Sequence, residues 1–397
     1  MKKLLTASAL CMMTFAGALT GAPKTVAIEN GPKIPETLVR ESYSSIERGV
    51  NYLFDSQEKD GSWIHHPAVT GLAIIALYNS GDNGSKALKK EAIEKGLAFI
   101  RKFVQKDGSI WMAGKEKEYP NYTTAVSLCA LATVAKPEDE AIMRKARKFL
   151  IGSQVADKKS KNFGGIGYGK SGPGNPDLSN TQWALEALYL TDYLDKEPKA
   201  KSQKDTEKSE LAWKNAVQFL GKLQHVPETN DDVWVVKDKN DPNYGSFIYK
   251  TNESKAGQVE GKKTLRGYGS MTYAGLKSMI YARLDKNDPR VQAAVLWGSK
   301  NYTMDENPGM GPQGLFYYLH TFAKANAVLG DDTITSPDGK KHLWRVDLIT
   351  KLLSLQKGNG SWINEKSGRW WESIPQLTTS YALMTMEIAL GSKILKK

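Results

Sequence analysis

Cysteine is scarce in this 397-residue chain, which contains only Cys11 and Cys129. Cys11 falls in the N-terminal leader described below, so Cys129 is the single thiol of the rest of the chain. One thiol cannot form an intramolecular disulfide, and a zinc site would have at most one thiolate ligand. The sequence therefore excludes a disulfide-stapled fold and a thiolate-rich zinc centre.

Long apolar runs are also absent beyond the N-terminus, where no uncharged stretch approaches the roughly 18 residues that suggest a membrane span. The composition is 40% hydrophobic and 25% charged, which is typical of folded globular proteins and excludes wholesale disorder. The length fits two or three ordinary domains, or a single repeat architecture.

The N-terminus carries the three parts of a secretory signal: a basic start, an apolar stretch ending at Ala18, and small residues beyond it. We predict a signal peptide over residues 1–27 and a mature domain over 28–397, and hence a periplasmic or secreted protein. Cleavage after Ala18 or Ala22 instead of Ala27 stays open, as does an uncleaved anchor.

The chain has a formal net charge of +12, and its lysines are concentrated in residues 158–161 and 196–214. Solvated loops account for such runs. An acidic partner, such as a polyanionic glycan or a lipid headgroup, is the alternative, so peripheral membrane contact stays open. No nucleic-acid-binding motif accompanies the charge, and we predict no nucleic-acid partner.

One pattern recurs six times along the chain: a helical stretch, then Gln, then a Gly-rich turn that ends in an aromatic residue. The three sharpest copies run from Gln57 to Trp63, from Gln105 to Trp111 and from Gln356 to Trp362. Looser copies follow Gln154, Gln224 and Asn301, where Asn replaces the expected Gln.

Each copy predicts two helices of different character. The first is amphipathic, as shown by Ile46, Val50 and Leu53 at helical spacing. The second, such as residues 68–77, is apolar on nearly every face and must therefore be enclosed by protein. Six of each predict an all-α fold, a single α/α toroid of six helical hairpins with an inner ring inside an outer ring. An open solenoid of hairpins is the alternative.

The Gln-to-Trp signature resembles the repeat of squalene and oxidosqualene cyclases and of protein prenyltransferase β subunits, over roughly residues 40–395. Residues 266–275 and 305–311 also look like uncharacterised secreted bacterial members of this superfamily. The resemblance implies an α/α toroid around an apolar central cavity. It further implies that the Gln amide and the Trp ring stack to tie neighbouring outer helices together.

The catalytic groups of these families are only partly matched. Where cyclases carry Asp-x-Asp-Asp-Thr, residues 177–181 read Asp-Leu-Ser-Asn-Thr, and the hydroxyl of Ser179 is too weak an acid to protonate an alkene. Asp177 is then an acid or a helix cap. The zinc ligands of the prenyltransferases have no counterpart in residues 313–315 or 374–378. We predict no metal, no cofactor and no prenyltransferase α subunit as a partner.

The turns that enter the inner helices are expected to line one mouth of the cavity, where unpaired helix amides favour anions or polar headgroups. The candidate ligand-binding residues are His66, Tyr122, Ser179, Asn180, Ser270, Gln313, Tyr317 and Gln376. The candidate catalytic residues are Asp177, His320, Tyr268 and Tyr318. A neutral His320 among tyrosines suits an acid or base, and a hydrogen-bonded core histidine is the alternative.

Aromatic walls with a few polar groups suit a largely apolar ligand, and they could also stabilise a carbocation. We predict binding of a hydrophobic, isoprenoid-like molecule, with its transformation undecided; an enzyme here would be terpenoid cyclase-like. A polysaccharide lyase or hydrolase is an alternative, suggested by Glu372 beside Trp370-Trp371 and by residues 231–234. A non-catalytic scaffold, with the aromatics filling the ring, is the third interpretation.

Overall fold

The computed structural model describes residues 34–81, 85–114, 119–169, 175–196 and 203–391. The predicted signal peptide over 1–27 lies outside these residues. In the ranges just given, no helix combines the length and the apolar character needed to cross a bilayer.

Helices make up nearly all of the regular secondary structure of the described chain. In chain order these are α1 (Glu36–Asp55), α2 (Pro67–Asn79), α3 (Lys86–Arg101), α4 (Pro120–Val134), α5 (Glu140–Gly152), α6 (Leu178–Leu190), α7 (Tyr193–Lys196), α8 (Gln203–Gly221), α9 (Gly269–Tyr281), α10 (Pro289–Lys300), α11 (Leu315–Leu329), α12 (Trp344–Leu355) and α13 (Pro375–Leu390). Two short strands, β1 (Ile334–Thr335) and β2 (Lys341–His342), pair antiparallel between α11 and α12.

The helices form two concentric rings. The inner ring consists of α2, α4, α6, α9, α11 and α13, each packed against the next, and α13 packs against α2 to close the ring. The outer ring consists of α1, α3, α5, α8, α10 and α12, and the short α7 links α6 to α8. The predicted all-α toroid is confirmed, and the open solenoid is wrong because the last hairpin contacts the first.

Burial follows the two helix types that the sequence distinguishes. Helix α2 is buried from Pro67 to Leu77, since it has protein on every side. Helix α1 buries one stripe, which includes Ile46, Val50 and Leu53, and exposes its charged face. Helices α2, α4 and α13 begin with proline, whose missing N–H would have no partner in a first turn anyway.

Glutamine side chains tie four of the outer helices to the next one. The amide nitrogen donates a hydrogen bond of 2.8–2.9 Å to a backbone carbonyl of the following outer helix, in the pairs Gln57–Ala92, Gln154–Ala212, Gln224–Arg290 and Gln356–Ser45. The last pair joins α12 to α1 and so closes the outer ring. Gln105 differs, because its amide bonds to Phe103 and Trp111 within its own turn.

Glycine is required where the turns cross the neighbouring outer helix. Gly360 has a φ of +86°, and a Cβ there would lie 2.4 Å from the carbonyl oxygen of Arg48 on α1. A Cβ at Gly61 would likewise lie 2.5 Å from the carbonyl oxygen of Lys95 on α3. Only glycine accepts this conformation and this backbone approach without strain. The close crossing brings the preceding glutamine within reach of the next helix.

Because Gln356 bonds across the ring closure, we expect Gln356→Ala to destabilise the protein more than Gln105→Ala does. Gln356→Ala removes hydrogen bonds to Ser45 on α1 and leaves a part-buried carbonyl without its donor. We expect the free energy of unfolding to fall by about 2 kcal/mol. Gln105→Ala, the control, breaks bonds inside one turn and should cost clearly less. Urea unfolding followed by circular dichroism measures both, and equal losses would contradict the role of ring closure.

Candidate functional site

A cavity of about 210 Å³ opens at the end of the inner ring where the inner helices begin. Seven tyrosines and three tryptophans form most of its wall, and none of the described lining residues is a lysine or arginine. The lining residues are His66, Val69, Tyr119, Tyr122, Tyr168, Ser179, Trp183, Tyr249, Tyr268, Ser270, Met271, Tyr317, Trp370, Trp371, Glu372, Leu377 and Tyr381. The wall is therefore aromatic, with polar atoms mainly at the tips of phenols.

The phenols form a continuous layer around the cavity. The hydroxyls of Ser179 and Tyr317 lie 3.4 Å apart, and the ring centres of Tyr317 and Tyr381 lie 6.0 Å apart. Burial raises the pKa of Tyr317 and of Tyr122 above the ordinary value for a phenol. These hydroxyls consequently stay protonated near neutral pH and offer a ligand neutral hydrogen-bonding groups.

One first-turn amide in each of four inner helices is already paired with a side chain. Ala68 N on α2 donates to His66 Nδ1, and Asn180 N on α6 donates to Asp177. Ser270 N on α9 donates to Asn307, and Tyr317 N on α11 donates to Glu372. We expected the amides at these helix starts to be unpaired and to attract anions. That expectation is wrong for these four amides, because an acceptor from the protein occupies each of them.

Glu372 is the acidic residue of the cavity lining. Its carboxylate accepts hydrogen bonds from Tyr317 N at 2.9 Å and from Asn364 Nδ2 at 2.7 Å. Burial raises the pKa of Glu372 from an ordinary 4.5 to about 7 despite these donors. Burial also lowers the pKa of His66 to about 4, so that this second ionisable group of the wall is neutral. The partly ionised Glu372 is consequently the main source of charge among the described lining residues near neutral pH.

Trp370 and Trp371 form the outer rim of the cavity. Both residues have left-handed backbone conformations, with φ of 57° and 67°, which are strained for bulky side chains. Trp370 packs against Gly314, and the ring of Trp371 meets the ring of His66 edge-on at 5.3 Å. Each tryptophan remains about two-fifths exposed, at 39% and 41%. They cover one side of the opening and leave an apolar edge beside it.

Asp177 lies behind the wall and caps α6. Its carboxylate accepts from Asn180 N at 2.8 Å and from Asn180 Nδ2 at 2.7 Å. Burial raises the pKa of Asp177 to about 6, although the bonds from Asn180 oppose this shift. The arrangement is that of the helix cap, and an acid role for Asp177 would need access to the cavity that its burial does not give. Asn180 is the partner of this cap.

The structure brings six of the twelve candidate residues to the cavity: His66, Tyr122, Ser179, Tyr268, Ser270 and Tyr317. The other six lie outside its lining: Asp177, Asn180, Gln313, Tyr318, His320 and Gln376. Gln313 accepts a hydrogen bond from Arg369, and the hydroxyl of Tyr318 donates to Thr303 O at 2.7 Å. Whether any of the twelve acts on a ligand stays a prediction.

Four aromatic lining residues were missed from the sequence, namely Tyr168, Trp183, Tyr249 and Tyr381, as were the apolar Val69, Met271 and Leu377. Helical spacing could have found Trp183, because it follows the predicted Ser179 by four residues. Tyr168 and Tyr249 lie in irregular segments between helices, where no periodicity marks the residues that turn inward.

A buried ion cluster ties three inner helices together. Lys277 Nζ on α9 lies 2.6 Å from the Glu186 carboxylate on α6, and Lys324 on α11 pairs with the other carboxylate oxygen. Burial opposes the charge on Glu186, but the two lysines outweigh it and lower the pKa of Glu186. Both ammonium groups also lie 5.6 Å from the ring centre of Trp183 in the cavity wall.

Among the residues described, no group of three or more His, Cys, Asp or Glu side chains is placed to hold a metal ion. Glu387 is a buried acid on the otherwise apolar inner helix α13, and its carboxyl oxygens have no hydrogen-bond partner. Burial raises the pKa of Glu387 well above its ordinary value, so it is held as a neutral acid.

No protein-family model and no curated protein matches the chain. Among solved structures, the chain is similar to the type II terpene cyclase MstE from Scytonema in its apo form, with a TM-score of 0.52 and 12% identity over 90% of this chain and 98% of that one. A variant of MstE in complex with geranylgeranyl dihydroxybenzoate, its substrate, gives a TM-score of 0.53 at 12% identity, over 89% and 99%. The likeness establishes a terpene-cyclase-like fold.

The raised pKa of Glu372 predicts a loss of stability with rising pH. Between about pH 4.5 and pH 7 the folded protein holds this proton and the unfolded chain does not, so stability falls through that window. The shift corresponds to about 3 kcal/mol. Glu372→Gln should remove this part of the pH dependence, as measured by urea unfolding from pH 4.5 to pH 8. The exposed Glu365→Gln is the control, and an unchanged slope in Glu372→Gln would refute the prediction.

The ion cluster predicts a large stability loss when its shared carboxylate is neutralised. Glu186→Gln leaves the buried Lys277 without its counter-charge, so we expect the free energy of unfolding to fall by about 3–5 kcal/mol. Glu91→Gln breaks an exposed ion pair with Lys95 and should change stability far less, because solvent screens such a pair. Thermal and urea unfolding compare the two variants, and similar losses would show that the buried cluster contributes no more than a surface pair.

Proposed function

We propose that the chain binds a hydrophobic, isoprenoid-like molecule in the aromatic cavity. The proposal depends on one observation: a space left open inside a closed helical ring, whose described lining has ten tyrosine and tryptophan side chains and no lysine or arginine. Apolar surface transferred from water into such a space gains about 25 cal/mol per Å². The substrate named for the structural neighbour MstE carries a geranylgeranyl group, which supports this ligand class.

Binding is better supported than cyclisation. Protonation of an alkene needs a strong acid in contact with the ligand, and Glu372, with a pKa of about 7, is a weak one. A carbocation beside Trp183 would also face the ammonium groups of Lys277 and Lys324 behind the ring. These positive charges repel a cation and engage the ring that would otherwise stabilise it. We therefore propose binding first, and a cyclase-like reaction only as an extension.

Two further proposals come from the sequence. The repeated Gln-to-Trp turns support membership of the squalene-cyclase-like superfamily, in its secreted bacterial branch. The leader over residues 1–27 supports a periplasmic or secreted location. N-terminal sequencing of the mature protein from separated cell fractions tests the location.

The two alternative functions have less support. Hydrolysis of a polysaccharide needs two carboxyl groups about 5–10 Å apart in one cleft, whereas the described cavity lining contains one acidic residue, Glu372. A lyase would instead need a lysine or arginine beside a tyrosine base, and neither lysine nor arginine is among the described lining residues. Asp231, another hint from the sequence, pairs with Lys222 on the surface and does not line the cavity. A non-catalytic scaffold whose aromatics fill the ring is disfavoured by the open space between them. Neither alternative is proposed.

The binding proposal is tested by filling the cavity. Titration with geranylgeraniol should change the intrinsic tryptophan fluorescence saturably, because three tryptophans line the wall. Ser179→Phe places a ring in the cavity and should weaken binding at least ten-fold, whereas Ser44→Phe, at an exposed position of α1, should leave binding unchanged. Failure of the wild-type protein to bind, or equal binding by both variants, would overturn the proposal.

A further inference from the structure

The volume of the cavity limits how much of a ligand it can enclose. That volume is about 210 Å³. An apolar cavity of about 150 Å³ holds one benzene molecule, which has six carbons, so this cavity has room for about eight to ten carbons. The geranylgeranyl group of the MstE ligand consists of four isoprene units and is therefore about twice too large to be enclosed here.

The depth of the cavity gives the same size by an independent measure. On the inner helices, the lining residue furthest from a helix start is Tyr381, six positions after Pro375 at the start of α13. Six residues of α-helix rise about 9 Å. An extended hydrocarbon chain advances about 1.3 Å per carbon, given bonds of about 1.5 Å. About seven carbons therefore span this depth, close to the main chain of two isoprene units.

The ion cluster lies where the cavity ends. Glu186 follows the lining residue Trp183 by three positions on α6, and it pairs with Lys277 and Lys324. The side chains of Glu186 and Lys277 are 4% and 1% exposed, and the three charged residues are not among the described lining residues. A hydrocarbon that went deeper would separate buried ion pairs, which is strongly unfavourable. The ring of Trp183, 5.6 Å from both ammonium groups, therefore closes the inner end.

The outer end of the cavity is the rim formed by Trp370 and Trp371. Both residues line the cavity and both remain partly exposed, so the wall reaches water at this point. A chain longer than the cavity continues past these rings into solvent. Binding is driven by the apolar surface that is removed from water, so carbons beyond the rim add little affinity.

We propose that the cavity encloses two isoprene units of a neutral isoprenoid, about ten carbons, and that the rest of any longer chain extends past the rim. This inference rests on the proposed function and names the size class of its ligand. The ligand is neutral because the described lining has no lysine or arginine to pair with a phosphate, and Glu372 opposes an anion. Met271 on α9, in the lining and 3% exposed, is one of the residues that set the limit.

The first test uses wild-type protein and four isoprenoid alcohols of increasing length: dimethylallyl alcohol, geraniol, farnesol and geranylgeraniol. Each is titrated below its solubility limit, with tryptophan fluorescence as the signal. Each methylene that is fully buried is worth about four-fold in affinity. We expect a gain of at least fifty-fold from dimethylallyl alcohol to geraniol, and of less than five-fold at each later step.

The outcomes separate this inference from the proposed function. A gain from geraniol to farnesol as large as the first gain, or a plateau already at dimethylallyl alcohol, would overturn the size limit while the binding proposal stands. Failure of all four alcohols to bind would overturn both.

The second test enlarges the cavity. Met271→Ala removes the outer part of a lining side chain, so we expect the ratio of farnesol affinity to geraniol affinity to rise at least three-fold. The matched control is Met279→Ala, which is buried on the same helix but outside the described lining, and it should keep the wild-type ratio. An unchanged ratio in Met271→Ala, or an equal rise in both variants, would overturn the role of Met271. The wild-type series decides the size limit even if Met271→Ala does not fold.

Discussion

The closure of the outer ring is the constraint on which the rest of the structure depends. A hydrogen bond from Gln356 on α12 to Ser45 on α1 joins residues more than three hundred positions apart, and Gly360 allows the backbones to meet there. The same amide-to-carbonyl bond recurs at three other junctions. Because the inner helices pack inside this ring, their number and spacing, and hence the width of the central space, are set by it.

The fixed width of the ring determines how the centre of the protein can be packed. Six inner helices cannot collapse onto one another, so their inward side chains must fill the space or line a cavity. Near the helix starts, large aromatic residues leave a cavity between them, and deeper in the ring Glu186, Lys277 and Lys324 fill the centre with an ion cluster. The hydroxyls that face the cavity are neutral, burial keeps His66 neutral, and Glu372, with a pKa of about 7, is only partly ionised near neutral pH. These features together favour a neutral, apolar molecule with few polar atoms.

The fold could be predicted from the sequence because its determinants are local and repeated. Fully apolar stretches such as 68–77 and amphipathic stretches such as 46–53 differ in pattern, and six copies of the pair suggest a ring. The site was predictable where a residue lies on an inner helix near its start, as for Ser179 and Tyr317, or just before that start, as for His66. Glu372 accepts a hydrogen bond from the backbone N–H of Tyr317, which is 55 residues away in the sequence. The carbonyl of Tyr249 accepts one from the backbone N–H of Leu178 at the start of α6. Such contacts depend on the finished tertiary structure, which no local pattern encodes.

We propose above all that the cavity inside the ring holds a hydrophobic molecule. Native mass spectrometry of the protein purified without detergent from the cells that make it tests this claim most directly. We expect a second species that is heavier than the bare chain by the mass of one small molecule. Organic extraction should release this molecule and identify it as an isoprenoid lipid. A single mass equal to that of the bare chain, or a bound oligosaccharide in place of a lipid, would contradict it.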